Sequence, residues 1–186
     1  MKVAILATVL CGCWWTAEFI RSLRQDKTLS RDRDRGSSKL WDVAHLVGVI
    51  GVIVGFTEVG HVQYHEQLIA ISGFCLMVAG ISFRWLAIHT LGRYFTGKVR
   101  IFEDHQLIRA GLYQHVRHPA YAGDLIAYLG FGLAFSNWIS LVLIFGSILL
   151  VALYRMRIEE QVLKEAFGQE YLDYMDKTKR LFPWVY

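Results

Sequence analysis

Long apolar blocks separated by short polar segments constrain this chain more than any other feature. The blocks run for roughly 15 to 20 residues, about the length that an α-helix needs to cross a ~30 Å hydrocarbon layer. Of the 186 residues, 54% are hydrophobic, and a soluble domain of this size would intersperse them among polar residues. The pattern predicts a single all-α integral membrane domain, residues 1–186, with about five transmembrane helices.

The five blocks differ in length and in the residues at their ends. They run from the N-terminus to Ile20, from about Trp41 to Gly60, from about Leu68 to Leu91, from about Ala120 to Phe135 and from Trp138 to Tyr154. After the last block, Ile158, Val162, Ala166 and Phe167 recur at helical spacing amid charges. This tail is predicted to be an amphipathic helix that continues from the fifth span into the interfacial region.

Three further features of the blocks predict how the helices pack. Gly48, Gly51 and Gly55 lie at near-helical spacing in the second block and predict a close approach to a neighbouring helix. Arg84 lies near the end of the third block, where we expect it to extend towards the interface. Asp124 is expected to complement the positive end of the fourth helix, which Pro119 begins.

The basic residues predict the orientation in the membrane. Of the 20, seven lie between Arg21 and Lys39, five between Arg93 and Arg117, and six between Arg155 and Arg180. These groups flank alternate spans, which indicates a cytoplasmic side rather than a nucleic-acid partner. We therefore expect the N-terminus outside, the C-terminus in the cytoplasm, contacts with anionic lipid headgroups, and the plasma membrane as the location in a prokaryote.

Two other classes of site are not expected. His61 and His65 share a helical face beside Glu66, but His65-Glu66-Gln67-Leu68-Ile69 lacks the second histidine of a zinc-protease motif, so no metal site is predicted. A glycine-rich phosphate-binding motif after a strand is also missing, which excludes a nucleotide-binding domain of the soluble type.

Polar residues crowd at two places on the predicted cytoplasmic side. His105, Tyr113, Arg117, His118 and Tyr121 lie beside the fourth span. Arg155 and Glu159, four positions apart, lie where the fifth span ends. Charged groups at the end of a membrane helix are costly unless they face a partner, a cavity or a ligand. Alone, the first cluster could be a hydrated loop and the second an exposed ion pair, but together they predict a small-molecule site.

Several ordered motifs from Leu91 to the C-terminus carry a family resemblance. They are Leu91-Gly92-Arg93, His105-Gln106-Leu107-Ile108, Gly111-Leu112-Tyr113, Arg117-His118-Pro119-Ala120-Tyr121-Ala122-Gly123, Glu159-Glu160 and Phe167-Gly168-Gln169-Glu170-Tyr171. This half of the chain, residues 92–186, resembles the isoprenylcysteine carboxyl methyltransferase family, within a wider group of membrane methyltransferases that includes phospholipid N-methyltransferases. Residues 1–91, with the basic loop 21–40, would then supply the first three spans.

The resemblance implies a methyltransferase that uses S-adenosylmethionine and releases S-adenosylhomocysteine. It implies that Arg155 binds the substrate. It also implies that a set of cytoplasmic residues holds the methyl donor: Arg100, His105, Gln106, Leu107, Ile108, Tyr113, His118, Pro119, Ala120, Tyr121 and Glu159. Lys98 is an alternative to Arg100 in this set. The acceptor it implies is lipophilic or prenylated, taken from the membrane.

The chemistry of the acceptor decides which residues are needed. A carboxylate, with a pKa near ~3.5, is already anionic at neutral pH and needs no general base, so the protein aligns the reactants and excludes water. Arg155 suits a carboxylate because a guanidinium binds it in a fixed geometry. His118 could bind the methyl donor's carboxylate and Glu159 its ammonium. An amine acceptor, a nicotinamide-dependent sterol reductase and a non-catalytic membrane scaffold remain alternatives.

Overall fold

The structure, a computed structural model, describes residues 1–23, 30–32, 36–96, 100–102 and 106–182, with the backbone alone for 30–32, 38 and 100–102. Its helices are α1 (Lys2–Leu23), α2 (Ser37–Gly55), α3 (Glu66–Leu91), α4 (Pro119–Leu133), α5 (Trp138–Leu141), α6 (Ser147–Phe167) and α7 (Gln169–Lys177). A π-helical turn, Val142–Gly146, joins α5 to α6 into one rod, and 3₁₀ turns cover Gly92–Tyr94 and Gly111–Gln114.

Among the described residues, three helical stretches are long and apolar enough to cross a membrane. They are Lys2–Leu23, Glu66–Tyr94 and Trp138–Phe167, and they coincide with the first, third and fifth predicted blocks. The prediction of a helical integral membrane protein is therefore confirmed. One short element was not predicted: β1 (Ser30–Asp32) and β2 (Arg100–Phe102) pair as an antiparallel ladder outside the helices.

Glycines bring α3 and α4 into close contact. A Cβ added at Gly73 on α3 would lie 2.7 Å from the carbonyl oxygen of Gly130 on α4, and one added at Gly123 would lie 2.6 Å from the backbone nitrogen of Arg84. Such contacts leave no room for a side chain, as expected for helices packed through small residues in a membrane. Most of α4 is buried as a result, and this helix carries the central residues of the site described below.

The glycines of α2 have two different environments. Gly51 packs against Leu143 and Ile144 of the π-helical turn, and Gly55 packs against Phe135, so the predicted close packing is confirmed at these two positions. A Cβ added at Gly48 would have nothing within 4 Å, and this glycine lines a cavity instead.

The expected position of Arg84 is wrong. Its guanidinium is turned into the bundle, where Nη1 lies 2.6 Å from Asp124 Oδ2 and Nε lies 2.9 Å from Glu18 Oε1. The side chain is 13% exposed and that of Asp124 is 3% exposed. Asp124 therefore neutralises a buried cation, and the two carboxylates make burial of the guanidinium tolerable because the charges are paired and hydrogen-bonded.

Candidate functional site

The turn before α4 places Tyr113 in the protein interior. Gly111 has a φ of +57°, a left-handed conformation that favours glycine, and it starts the 3₁₀ turn Gly111–Gln114. Tyr113 is buried, and its carbonyl oxygen accepts a 2.6 Å hydrogen bond from the Tyr174 hydroxyl of α7. The turn and α7 are thereby held together at one side of the site.

A C-terminal segment, residues 178–181, binds the backbone that leads into α4; we call it the C-terminal strap. Arg117 N–H donates to the Lys179 carbonyl (2.8 Å) and His118 N–H donates to the Arg180 carbonyl (3.1 Å), while Lys179 N–H donates to the His115 carbonyl (3.1 Å). Leu181 is buried in the main hydrophobic core. The strap thus fixes the backbone of His118, the residue that precedes α4.

The Glu160 carboxylate binds side chains of both the C-terminal strap and the segment before α4. Its Oε1 lies 3.2 Å from Arg117 Nε, 3.3 Å from His118 Nε2 and 3.1 Å from Arg180 Nε, and its Oε2 lies 2.6 Å from Arg180 Nη2. Because a carboxylate only accepts hydrogen bonds, Nε2 of His118 carries the proton. The imidazole, 3% exposed, is held in one orientation by this contact.

Arg155, Tyr121 and Glu159 form the second part of the site. Arg155 and Glu159 share a face of α6, and both interact with the hydroxyl of Tyr121: Arg155 Nε donates to it at 3.4 Å, and Glu159 is hydrogen-bonded to it. The ring of Tyr121 lies 5.7 Å from that of His118. Tyr121 therefore contacts the residues of both predicted clusters, which meet in the structure.

Tyrosine hydroxyls around Glu159 and Glu160 stay protonated at neutral pH. Burial raises the pKa of Tyr113 well above its usual range, and the nearby Glu159 carboxylate adds to the increase. Burial raises the pKa of Tyr171 in the same way, with Glu160 and Glu159 adding to it, and burial raises the pKa of Tyr174 to about 12. Tyr113 and Tyr171 are therefore neutral phenols that interact electrostatically with these carboxylates.

Some of the other predicted site residues are placed by the structure, and others have side chains outside the described part of the chain. Pro119 and Ala120 are buried in the first turn of α4. Leu107 and Ile108 are half-buried and Gln106 is exposed in the extended segment before the 3₁₀ turn. His105 and Lys98 lie outside the described residues, and Arg100 is described only by its backbone in β2. The contacts of these three side chains stay predictions.

Residues for which the sequence predicted no role complete the site. Glu160 and Arg180 form the ion-pair network described above. Trp41, on the first turns of α2, lies with its ring centroid 5.7 Å from Cζ of Arg155 and 6.4 Å from the ring of Tyr121. A guanidinium at that distance is attracted to the face of an indole, so α2 also contributes to the surroundings of Arg155.

An apolar cavity of about 290 Å³ lies within the bundle near Trp41. Residues of α1, α2, α4, the π-helical turn and α6 line it, and the residues with polar groups at its wall include Thr8, Trp15, His45 and Tyr128. The Tyr128 hydroxyl lies 2.9 Å from Trp15 Nε1 and 2.9 Å from His45 Nε2. The ring of His45 also lies 5.6 Å from that of Trp41, so aromatic contacts connect the cavity with the site at Arg155.

His61, the other candidate ligand considered from the sequence, lies at the opposite end of the bundle. Its Nε2 lies 2.8 Å from Glu66 Oε2. Within the described part of the chain, the structure brings together no group of three or more side chains of the metal-binding types.

Comparisons with known proteins identify the family to which the chain is similar. Residues 72–165 match the isoprenylcysteine carboxyl methyltransferase (ICMT) family. Protein-S-isoprenylcysteine O-methyltransferase B of Arabidopsis thaliana is 32% identical over 150 residues, which cover 80% of this chain and 76% of the relative. The Saccharomyces cerevisiae protein-S-isoprenylcysteine O-methyltransferase is 32% identical over 121 residues, covering 64% of this chain and 51% of the relative.

A solved structure shares the fold. The eukaryotic intramembrane Ras methyltransferase ICMT superposes with a TM-score of 0.63 at 24% identity, covering 80% of this chain and 53% of that one. This chain therefore spans about half the length of the yeast relative and of the solved structure, and about three quarters of the Arabidopsis relative.

Proposed function

Because this chain belongs to the isoprenylcysteine carboxyl methyltransferase family, as the sequence motifs predicted, we propose that it methylates the carboxylate of a lipophilic, isoprenylcysteine-like acceptor with S-adenosylmethionine. The observation that carries this proposal is the buried Arg155, which lies beside Tyr121 and Trp41. The family membership confirms the predicted class of enzyme, and the acceptor and the roles of individual residues are our proposals.

The residues around Glu159 fit the methyl donor. S-adenosylmethionine supplies a methyl group on a sulfonium, and its amino-acid end carries an ammonium and a carboxylate. Glu159 is a half-buried carboxylate that is hydrogen-bonded to the Tyr121 hydroxyl and interacts electrostatically with Tyr113, so it can accept hydrogen bonds from an ammonium. The aromatic rings of Tyr113 and Tyr121 offer faces for the adenosine.

The proposed role of His118 differs from the one its sequence position suggested. Because its Nε2–H is directed to Glu160, a neutral His118 has only the acceptor Nδ1 left, and binding a carboxylate through that atom would require the doubly protonated imidazolium. We infer that His118 mainly holds Tyr121 and the first turn of α4 in place. Its ring packs edge-on against Tyr121 at a 76° angle.

Arg155 fits an acceptor that is already anionic. A guanidinium can bind a carboxylate with two parallel hydrogen bonds, which fixes the attacking oxygen without a proton transfer. Trp41 covers the guanidinium and excludes water, which strengthens the charge interaction. The apolar cavity supports a hydrocarbon portion on the acceptor, since its wall is continuous through His45 with Trp41.

Five membrane crossings with the C-terminus in the cytoplasm are also proposed. Two sets of contacts support them. At one end of the bundle, Arg21 of α1 lies 4.5 Å from the ring centroid of Phe95, and the loops after α1 and α3 pair through β1 and β2. At the other end, Val62 N–H donates to the Ser136 carbonyl at 2.7 Å. Alternate loops thus meet at opposite ends, with the basic ones together.

Base-labile methyl transfer tests the proposal. Purified protein in lipid nanodiscs is incubated with methyl-labelled S-adenosylmethionine and an N-acetylated, S-isoprenylated cysteine. A carboxyl ester releases labelled methanol in alkali, whereas a methylated amine does not. We expect alkali-labile label from the wild type and none from Arg155→Ala or Glu159→Ala, with both variants still eluting as folded protein. Undiminished transfer by either variant would refute its assigned role, and alkali-stable label on an amine acceptor would favour N-methylation.

A further inference from the structure

One buried hydroxyl beside the site has no partner within the described protein. Tyr171 of α7 is 1% exposed and is among the largest fully buried side chains. Its hydroxyl makes no hydrogen bond to any described residue. A buried hydroxyl without a partner is destabilising because it has lost its hydrogen bonds to water, and native proteins retain few such groups, so its position calls for a functional reason.

The surroundings of this hydroxyl are those of the proposed donor site. The charged groups that interact with it are Glu160, Glu159 and Arg117. Tyr171 also packs against Tyr174, with ring centroids 5.9 Å apart, and Tyr174 bonds to the backbone of Tyr113. The other two orphaned side-chain atoms in the described part of the chain, Trp14 Nε1 and Ser140 Oγ, belong to α1 and α5 in the bundle.

The polar groups that interact with Tyr171, Glu160 and Arg117, make hydrogen bonds to other residues. Both oxygens of Glu160 accept from Arg180, and Oε1 also accepts from Arg117 and His118. Arg117 Nη1 donates to the carbonyls of Met175 and Thr178. These interactions do not include the Tyr171 hydroxyl, although it is electrostatically coupled to both residues. A partner that arrives with the ligand is therefore the simplest way to satisfy it.

We propose that the hydroxyl of Tyr171 binds the amino-acid end of the methyl donor, next to Glu159. This inference rests on the proposed function. A neutral phenol suits the task because it can donate to a carboxylate and accept from an ammonium. The assignment adds α7 to the donor site, beyond residues 72–165 that match the family.

Tyr171→Phe separates a ligand-binding hydroxyl from a structural one. In the ligand-free protein the substitution removes an unsatisfied polar atom, so the thermal midpoint should stay the same or rise. The affinity for S-adenosylhomocysteine, measured by calorimetry, should fall about tenfold, the effect of losing one hydrogen bond of about 1.4 kcal/mol. The affinity for 5′-methylthioadenosine, which lacks the amino-acid end, should not change.

Tyr174→Phe is the matched control. Its hydroxyl donates to the Tyr113 carbonyl within the protein, so the substitution should lower the thermal midpoint of the ligand-free protein. It should also weaken both ligands to the same extent, if it weakens them at all.

The following results would overturn the assignment of Tyr171. Unchanged affinity of Tyr171→Phe for S-adenosylhomocysteine, or an equal loss for both ligands, overturns the assignment of Tyr171 while leaving the proposed function intact. A lower thermal midpoint for ligand-free Tyr171→Phe would show that the hydroxyl has a partner inside the protein, and this too overturns it. Failure of the wild type to bind S-adenosylhomocysteine overturns the proposed function itself, and the assignment with it.

Discussion

The C-terminal strap depends on one ion pair whose contribution can be estimated from its contacts. Arg180 supplies two of the four hydrogen-bond contacts to Glu160, at 2.6 Å and 3.1 Å, and the two side chains are 13% and 9% exposed. Hydrogen bonds to charged groups contribute about 1.5–3 kcal/mol each when buried. Since Glu160 keeps Arg117 and His118 as partners, we expect Arg180→Met to destabilise the strap by about 2–3 kcal/mol.

Hydrogen exchange measures this loss where it occurs. The amides of Arg117, His118 and Lys179 are protected by the hydrogen bonds between the strap and the segment before α4. If the strap opens as a local unit, their exchange rates follow its opening free energy. A loss of 2–3 kcal/mol should therefore accelerate exchange roughly 30- to 150-fold, as followed by mass spectrometry of the peptides that contain them.

Arg109→Met is the matched control for this experiment. Arg109 also links the rest of the chain to the C-terminal region, through a 2.7 Å contact with Glu170, but the side chains are 44% and 59% exposed. Exposed ion pairs contribute at most about 1 kcal/mol, so exchange at the strap should change by only a few fold. Equal exchange rates in the two variants would refute the reasoning that burial makes the Arg180 contact the stronger one.

Two further predictions concern Trp41 and the contact between α3 and α4. Trp41→Ala should raise the KM for a carboxylate acceptor several-fold while leaving the affinity for S-adenosylhomocysteine unchanged, because the indole lies beside Arg155 and Tyr121. The control is Trp138→Ala, since Trp138 is exposed. An unchanged KM in Trp41→Ala would contradict a role of Trp41 at the acceptor site. Gly130→Ala should lower the thermal midpoint because the added Cβ would meet the backbone of Met77. In the control, Gly146→Ala, the added Cβ would have nothing within 4 Å, so this substitution should be neutral or slightly stabilising. Similar midpoints for the two variants would contradict the packing argument.

The sequence predicted most of the helices because the hydrocarbon layer sets their length. The third block, predicted from about Leu68 to Leu91, corresponds to α3 at Glu66–Leu91. The second block was placed some five residues too far along, since α2 runs Ser37–Gly55. Its polar first turn hid the start, and the apolar residues after Gly55 belong to a turn. The π-helical turn, which packs against Gly51 through Leu143 and Ile144, was not predicted.

The sequence predicted which residues belong to the candidate site better than it predicted which residues they contact. Arg155, Glu159 and Tyr121 do meet, because residues four apart share a helix face and Tyr121 lies in the first turns of α4. Arg84 was misplaced, since a long cation near a helix end can reach either the interface or a buried carboxylate. Only the packing of α1 and α4 against α3, which brings Glu18 and Asp124 to it, decides between these positions.

The adjacent carboxylates of α6 show why the tertiary structure was needed to divide the roles. Neighbouring helical positions point about 100° apart, so Glu159 and Glu160 have different surroundings. Glu160 contacts two arginines and a histidine, and a ligand's ammonium would have to compete with these groups for its oxygens. Glu159 is hydrogen-bonded to the Tyr121 hydroxyl, so an ammonium bound there adds an attraction without displacing a cation from that contact. The strap thus determines which carboxylate is structural and which one is suited to a ligand.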